Sequence, residues 1–297
     1  MAELSRLEIL DHFGFKRNPF KSVDFETADR ARIRRIVSMA VADNAMVSVV
    51  GIRGMGKTRS VVDAARRMSL KPVVIDFPEQ TRLLIGDIER TMIRELSDEN
   101  PRRSKDARKP QLRRILGESA RQRKVVVVIE EAHRIHSMTL RAIKSLRTLD
   151  WMGQEELFTV ILIGQSDPMR KSGVSEVRLR ADSVQMQGLT SSEAGDYIRT
   201  VVGDVFDDKA VGTVSRLPEC RNFLELQSVL MRLMGRAMVD GRDRVTSSDV
   251  DAEFSDKKPP ATRSGGLKGK HAAGNAFLKK TISNMREQSA SGIREAV

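Results

Sequence analysis

The chain has 297 residues, of which 40% are hydrophobic and 31% charged, and no stretch approaches the roughly 18–20 apolar residues of a membrane-spanning helix, so the composition is that of a core-forming chain and excludes a membrane span. A surplus of 52 Lys+Arg over 40 Asp+Glu gives +12 and favours a polyanionic partner. Cys220 is the single cysteine and the opening MAELSRLEILDHF has no basic start followed by an apolar run, which excludes a disulfide framework and predicts a reducing, cytoplasmic setting.

In chain order, short β-branched runs bounded by turns recur at 46–51 (MVSVVG), 72–77 (PVVIDF), 125–130 (VVVVIE) and 158–164 (FTVILIG), with a weaker fifth at 183–187 (SVQMQ). Such runs, alternating with helical patterns, predict an α/β fold with a parallel sheet sandwiched by helices. After Leu189 the pattern turns helical. Thr190 and Glu193 stand at capping-box spacing, and 221–239 and 246–254 carry apolar residues at helical intervals, which predicts a small C-terminal helical lid. Beyond Asp256 the chain is rich in Pro, Gly, Ala and Lys and reads as a flexible basic tail with a short helix at 275–289. The expected divisions are a lead segment (1–24), the core (25–189), the lid (190–256) and the tail (257–297).

Charge is concentrated rather than spread. Residues 101–124 hold ten Lys/Arg and two acids, and 257–297 hold nine and two. These segments are expected to be contact surfaces, the alternative being a solvated helix face and a disordered tail. With 4% aromatic residues, stacking on bases is a poor source of nucleic-acid affinity, so contacts to backbone phosphates are expected instead.

The strongest motif is Gly51-Ile52-Arg53-Gly54-Met55-Gly56-Lys57-Thr58, which fits GxxxxGK[ST] and lies between a predicted strand and a predicted helix. Glycines let the loop close on phosphates, Lys57 reaches the β/γ-phosphates, and Thr58 offers a hydroxyl to Mg²⁺. Arg53, Met55 and Arg59 complete the stretch expected around the nucleotide. The partner motif is an apolar strand ending in acids, and Glu130 and Glu131 supply it, the first for the metal and the second to polarise the attacking water. Glu130 stands where an Asp is usual and is one methylene longer. At the end of the fourth strand Gln165 is placed to touch the γ-phosphate or the water. Arg221 begins a lid helix, and Arg178 and Arg180 precede the fifth strand, where a neighbouring subunit's site would be completed.

These motifs, with the opening His12-Phe13-Gly14-Phe15-Lys16-Arg17-Asn18-Pro19-Phe20, with Glu131-Ala132-His133 and with Gly164-Gln165-Ser166-Asp167-Pro168, resemble the AAA+ ATPase superfamily over about residues 12–240. The branch they resemble includes ExeA-type secretion ATPases and the transposition ATPases of the phage Mu B and TnsC/TniB type. The resemblance implies a P-loop AAA+ fold, ATP and Mg²⁺ as cofactors, and an adenine pocket lined partly by Asn18, Pro19 and Phe20. It also implies sensor 1 at Gln165, sensor 2 at Arg221 and an arginine finger among Arg178 and Arg180. Secretion ATPases of this branch carry a transmembrane segment and a periplasmic part, for which the sequence shows no counterpart. Transposition ATPases assemble on duplex DNA when ATP is bound and recruit a transposase.

The expectation is therefore an ATP-dependent regulator of transposition that forms a ring or filament on DNA, with slow, partner-stimulated hydrolysis. Its DNA contacts are expected from the basic 101–124 insertion, including Arg113 and Arg114, and from the helix 137–149, where Arg141, Lys144 and Arg147 recur at i, i+3 and i+6. The alternatives are a helicase loader or replication initiator, and a regulatory ATP switch that binds no nucleic acid.

Overall fold

The computed structural model describes residues 5–21, 23–76, 82–178 and 181–255, the side chains of Arg178 and Ser255 excepted. The chain divides into Met1–Glu253 and Phe254–Val297. Apart from the last residues of one helix, the described elements belong to the first of these. The basic tail and the helix expected at 275–289 lie outside the described residues, as does Phe77 of the second expected strand.

Five strands, β1 (Met46–Val50), β2 (Lys71–Ile75), β3 (Val125–Ile129), β4 (Phe158–Gly164) and β5 (Ala181–Gln185), form a parallel sheet in the order β2-β3-β4-β1-β5. Their near-continuous apolar runs follow from burial on both faces. Val125, Val127 and Ile129 enter a core built with α4 (Ile85–Leu96), α5 (Lys105–Gln122), α6 (Ser137–Arg147) and α7 (Ser175–Arg178). Val126 and Val128 enter a second core with α2 (Ala28–Ala42) and α3 (Lys57–Arg67). Each such fully buried valine contributes roughly 1.5–3 kcal/mol relative to exposure, so β3 anchors both layers at once. Among the described residues no helix is long and apolar enough to cross a membrane.

After β5 come α8 (Ser191–Val202), α9 (Asp208–Val214), α10 (Phe223–Val239) and α11 (Ser247–Ser255), the helical lid. The expected capping box is formed: Thr190 Oγ1 accepts the Glu193 N–H at 3.2 Å, and Glu193 accepts the Thr190 N–H at 2.8 Å. Glu193 also accepts the N–H of Ala28 at 2.7 Å, and buried Asp29 accepts the N–H groups of Gln187 and Gly188. The start of α2 thus holds the connection from sheet to lid. A further helix, α1 (Arg6–His12), packs on α10 with Ile9 beside Gly235.

Three sequence expectations change. The fifth strand begins two residues earlier than its apolar run, at Ala181, where it pairs with Met46 of β1. Residues 101–124 are no insertion: they are largely α5, a crossover helix that buries Leu112, Ile115 and Leu116 under the sheet. Their cations are partly consumed there. Arg108 is buried against Glu89 of α4 at 2.8 Å, Arg113 pairs with Asp150 at 2.7 Å, and Arg114 pairs with Glu99 and Glu118.

The third change concerns α6. Arg141 and Lys144 lie on its outer side, with Lys144 paired to Glu176 at 2.7 Å and Arg141 donating to the Gly173 carbonyl at 2.8 Å. Arg147 does not join them: it is 7% exposed and its guanidinium donates to the Asn44 carbonyl and to Glu156. The reason is angular. At 3.6 residues per turn an i, i+6 step rotates about 120° away from its start, so the three cations cannot share one face.

Candidate nucleotide-binding site

The carboxyl ends of β1, β3 and β4 meet where Val50 pairs with Gly164 and Ile129 with Leu162, and a cavity of about 400 Å³ opens there between sheet and lid. Crevices outside the carboxyl ends of parallel strands are where open α/β sheets take ligands. The loop leaving β1 forms its floor. Gly54 at φ +91° and Gly56 at φ +80° adopt left-handed backbone, which is why this turn takes glycine, and Gly56 directly caps α3. The positive end of α3 and the loop's amide hydrogens make a seat for an anion.

Lys57 lies in this loop half-buried, its Nζ donating to the carbonyls of Gly51 and Ile52 at 2.8 Å each. Burial pushes its pKa down, and the carboxylates of Glu131 and Glu130 pull it back. Arg53, Gly54, Met55, Gly56, Thr58 and Arg59 line the cavity with it, as do Glu130, Glu131 and Gln165. Gly51 stands one step behind, as a carbonyl partner of Lys57.

Glu131 adopts φ +47°, a rare conformation for a residue with a side chain. Its carboxylate lies 3.6 Å from His133 Nδ1, and that nitrogen also accepts the Gln165 N–H at 3.4 Å. His133 therefore sits between the acid expected to polarise water and the loop that carries Gln165. Gly164 permits this approach, since a β-carbon there would press on the backbone of His133 and Ser166.

The opposite wall is apolar and aromatic. Phe20 of the lead segment lines it, with Asn18 Oδ1 accepting the Phe20 N–H at 3.0 Å to shape the turn; Asn18 and Pro19 do not line the cavity themselves. Phe25, Tyr197 of α8 and Phe223 of α10 form an edge-to-face series with centroids 5.4 and 5.1 Å apart. Buried Arg30 fixes the lead segment beside them, donating to Asp24, the Phe25 carbonyl and Asp63. Arg59 adds a bond to the Val23 carbonyl at 2.7 Å. The sequence did not mark Tyr197 or Phe223, because aromatic residues at helical spacing look the same whether they face a core or a ligand, nor Phe25 and Arg30, whose partners Tyr197 and Asp63 are distant in the chain.

Among the remaining expected residues, Arg221 is exposed, ends the turn before α10 and does not line the cavity. Arg178 is the last residue of α7, and Arg180 lies outside the described residues. For a metal, Thr58 and Glu130 bring a hydroxyl and a carboxylate to the same cavity. That donor set fits Mg²⁺, which needs few protein oxygens when phosphates and water supply the rest. Among the described residues no group of three or more His, Cys, Asp or Glu side chains makes a metal cage of its own.

A five-stranded parallel sheet in this order, with a glycine-rich phosphate loop after β1, acids at the end of β3 and a helical lid over the loop, defines the P-loop AAA+ fold. Residues 41–171 match the family described as AAA domain. Among solved structures the chain is similar to Cdc6p from Pyrobaculum aerophilum, at TM-score 0.58 and 14% identity over 83% of this chain and 70% of that one. It is similar to the Aeropyrum pernix ORC2 protein in ADPNP–ADP complexes, at TM-score 0.59 and 14% identity over 80% and 71%. It is also similar to the Aeropyrum pernix ORC1 protein in complex with DNA, at 0.54 and 15% over 80% and 68%. At such identity the likeness is one of fold. Among the curated proteins no sequence matches the chain.

Proposed function

We propose that the protein binds and hydrolyses ATP and that ATP controls its assembly on duplex DNA, where it regulates transposition by recruiting or activating a transposase. The observation that carries the ATPase part is the single cavity shared by Lys57, Thr58, Glu130, Glu131 and Gln165 on one side and Phe20, Tyr197 and Phe223 on the other. Aromatic rings suit a base, the glycine-rich loop suits phosphates, and the two acids stand where a metal and a water are needed. In this reading Lys57 leaves its carbonyl partners for the β/γ-phosphates, and Gln165 orients the terminal phosphate or the water. Glu131 polarises that water. Thr58 and Glu130 hold Mg²⁺, which supplies neutralisation of phosphate charge.

The DNA part rests on the +12 charge and on the outward Arg141 and Lys144, with Arg113 and Arg114 as exposed cations whose surface pairs are weak enough for phosphate to compete with. The transposition part rests on the resemblance of the HFGFKRNPF, EAH and GQSDP segments. A second reading, a replication-initiator type of ATPase, is compatible with the fold shared with the Cdc6p, ORC2 and ORC1 structures over at least 80% of this chain. The two differ in the protein captured by the ATP-bound form, a transposase or a replicative helicase.

The test combines variants and micrographs. Lys57→Ala is expected to abolish ATP binding, whereas Glu131→Gln is expected to bind ATP, lose hydrolysis and hold the assembled state on duplex DNA. ATP affinity in Lys57→Ala equal to that of the wild type would overturn the site. Micrographs of Glu131→Gln with DNA that show the same particles with and without ATP would overturn the ATP-controlled assembly.

A further inference from the structure

Asn222 begins α10, yet it is 3% exposed and both ends of its amide are engaged. Oδ1 accepts the Leu224 N–H at 2.9 Å and caps the helix, while Nδ2 donates to the backbone carbonyl of Arg53 in the phosphate loop. The fit is tight: a β-carbon at Gly54 would run into the Asn222 side chain and Leu224. Capping alone does not require an amide, because Ser, Thr and Asp cap helices about as well. The second bond does. Asp offers no donor, and a Ser hydroxyl occupied at the cap is too short to reach a neighbouring loop as well.

A peptide unit is planar and trans, so the Arg53 carbonyl and the Gly54 N–H point in opposite directions. Lys57 and Asn222 together engage the successive carbonyls of Gly51, Ile52 and Arg53. With the Arg53 carbonyl turned to the lid, the Gly54 amide hydrogen is turned away from it, and Gly54 itself lines the cavity. We propose that Asn222 is a positioning residue by which the lid fixes the Arg53–Gly54 peptide, presenting the Gly54 N–H to a bound phosphate. The lid then sets how strongly the loop holds a nucleotide. This rests on reading Gly51–Thr58 as a phosphate-binding loop. Arg221 next to it is exposed and outside the cavity lining.

The experiment uses the full chain as Asn222→Asp and Asn222→Ser, both of which keep a side-chain acceptor for the Leu224 N–H, with Lys57→Ala alongside. ATP and ADP binding is measured by calorimetry and adenosine binding by ligand-observed NMR. ATP and ADP are expected to weaken by about tenfold in both Asn222 variants, a loss of about 1.4 kcal/mol. Adenosine, which has no phosphate, is expected to bind as it does to the wild type. Equal weakening of all three ligands would overturn the proposal in favour of a merely structural lid residue, since Tyr197 and Phe223 of the lid line the cavity. Unchanged ATP and ADP binding in both variants, with binding lost in Lys57→Ala, would overturn the positioning role and leave the phosphate loop standing. ATP binding retained in Lys57→Ala would instead bring down the phosphate-loop reading on which the proposal stands.

Discussion

Lys57 holds two carbonyls with its charge in a half-buried loop, an arrangement that a phosphate can displace because the anion offers the ammonium a stronger partner than a neutral carbonyl. Asp249 shows the opposite case, a charge committed to structure. Arg242 donates to both its oxygens, at 2.6 and 2.7 Å, and the Thr246 N–H adds a third bond at the start of α11. Chiefly through Arg242 its pKa is lowered to about 2. Because the folded value lies below the unfolded one, near 4, the pair's contribution is complete above about pH 4 and disappears as pH falls toward 2. Asp249→Asn is expected to lower stability at pH 7 by about 1 kcal/mol, allowing for solvent screening, and to remove that part of the acid dependence. Urea unfolding at pH 7 and pH 3 checks it, and a loss as large at pH 3 as at pH 7 would contradict the assignment. Residues such as Lys57, Glu130, Glu131 and Gln165 were legible in the sequence because each is tied to the end of a strand. Asn222 and Tyr197 were not, since Arg53 and Phe25, the partners that tie them to the far side of the site, are more than a hundred residues away in the chain.

At the scale of elements, α4 and α5 are joined by an ion pair in which both side chains are buried, Arg108 with Glu89. Arg108 also donates to the carbonyls of Arg102 and Arg103, so the turn leading into α5 hangs on the same guanidinium. Removing one member leaves the other buried and unpaired. Arg108→Ala is expected to cost about 3–5 kcal/mol, while Arg108→Met with Glu89→Leu is expected to cost much less, since neither charge then needs a partner. Chemical denaturation of the two proteins compares them, and equal losses would show that the pair carries no special cost. A charge count over 101–124 was blind to this helix: it tallies cations without their partners, and the apolar Leu112, Ile115 and Leu116 that mark a packed face were outnumbered. The capping box at Thr190 and Glu193 was legible for the converse reason, being a contact within four residues. Strand β5 was displaced in the reading because it is an edge strand whose exposed residues, Asp182 and Ser183, interrupt the apolar signal.

For the whole molecule, the count of 52 Lys and Arg overstates the cations open to a polyanion, since Arg108 and Arg147 are buried and Arg113, Arg114 and Lys144 are paired with acids. What remains on α6 is an outward Arg141 and Lys144, both paired with Glu176, at 3.9 and 2.7 Å, through a carboxylate whose exposure keeps the pairs weak. If ATP-bound subunits repeat along duplex DNA, the loss of these two charges is repeated at every subunit. Arg141→Ala with Lys144→Ala is therefore expected to weaken binding alike for all sequences and to flatten the dependence of log affinity on log salt by about one unit for each phosphate that is no longer neutralised. Arg147→Met provides the contrast. It removes the same formal charge from the same helix, but from the buried side, so it is expected to lower stability by about 1–3 kcal/mol and leave the salt slope unchanged. Anisotropy titrations at several salt concentrations, with nucleotide binding confirmed for each protein, separate the two. A slope that moves with Arg147 and not with Arg141 and Lys144 would place the DNA on another face of the molecule.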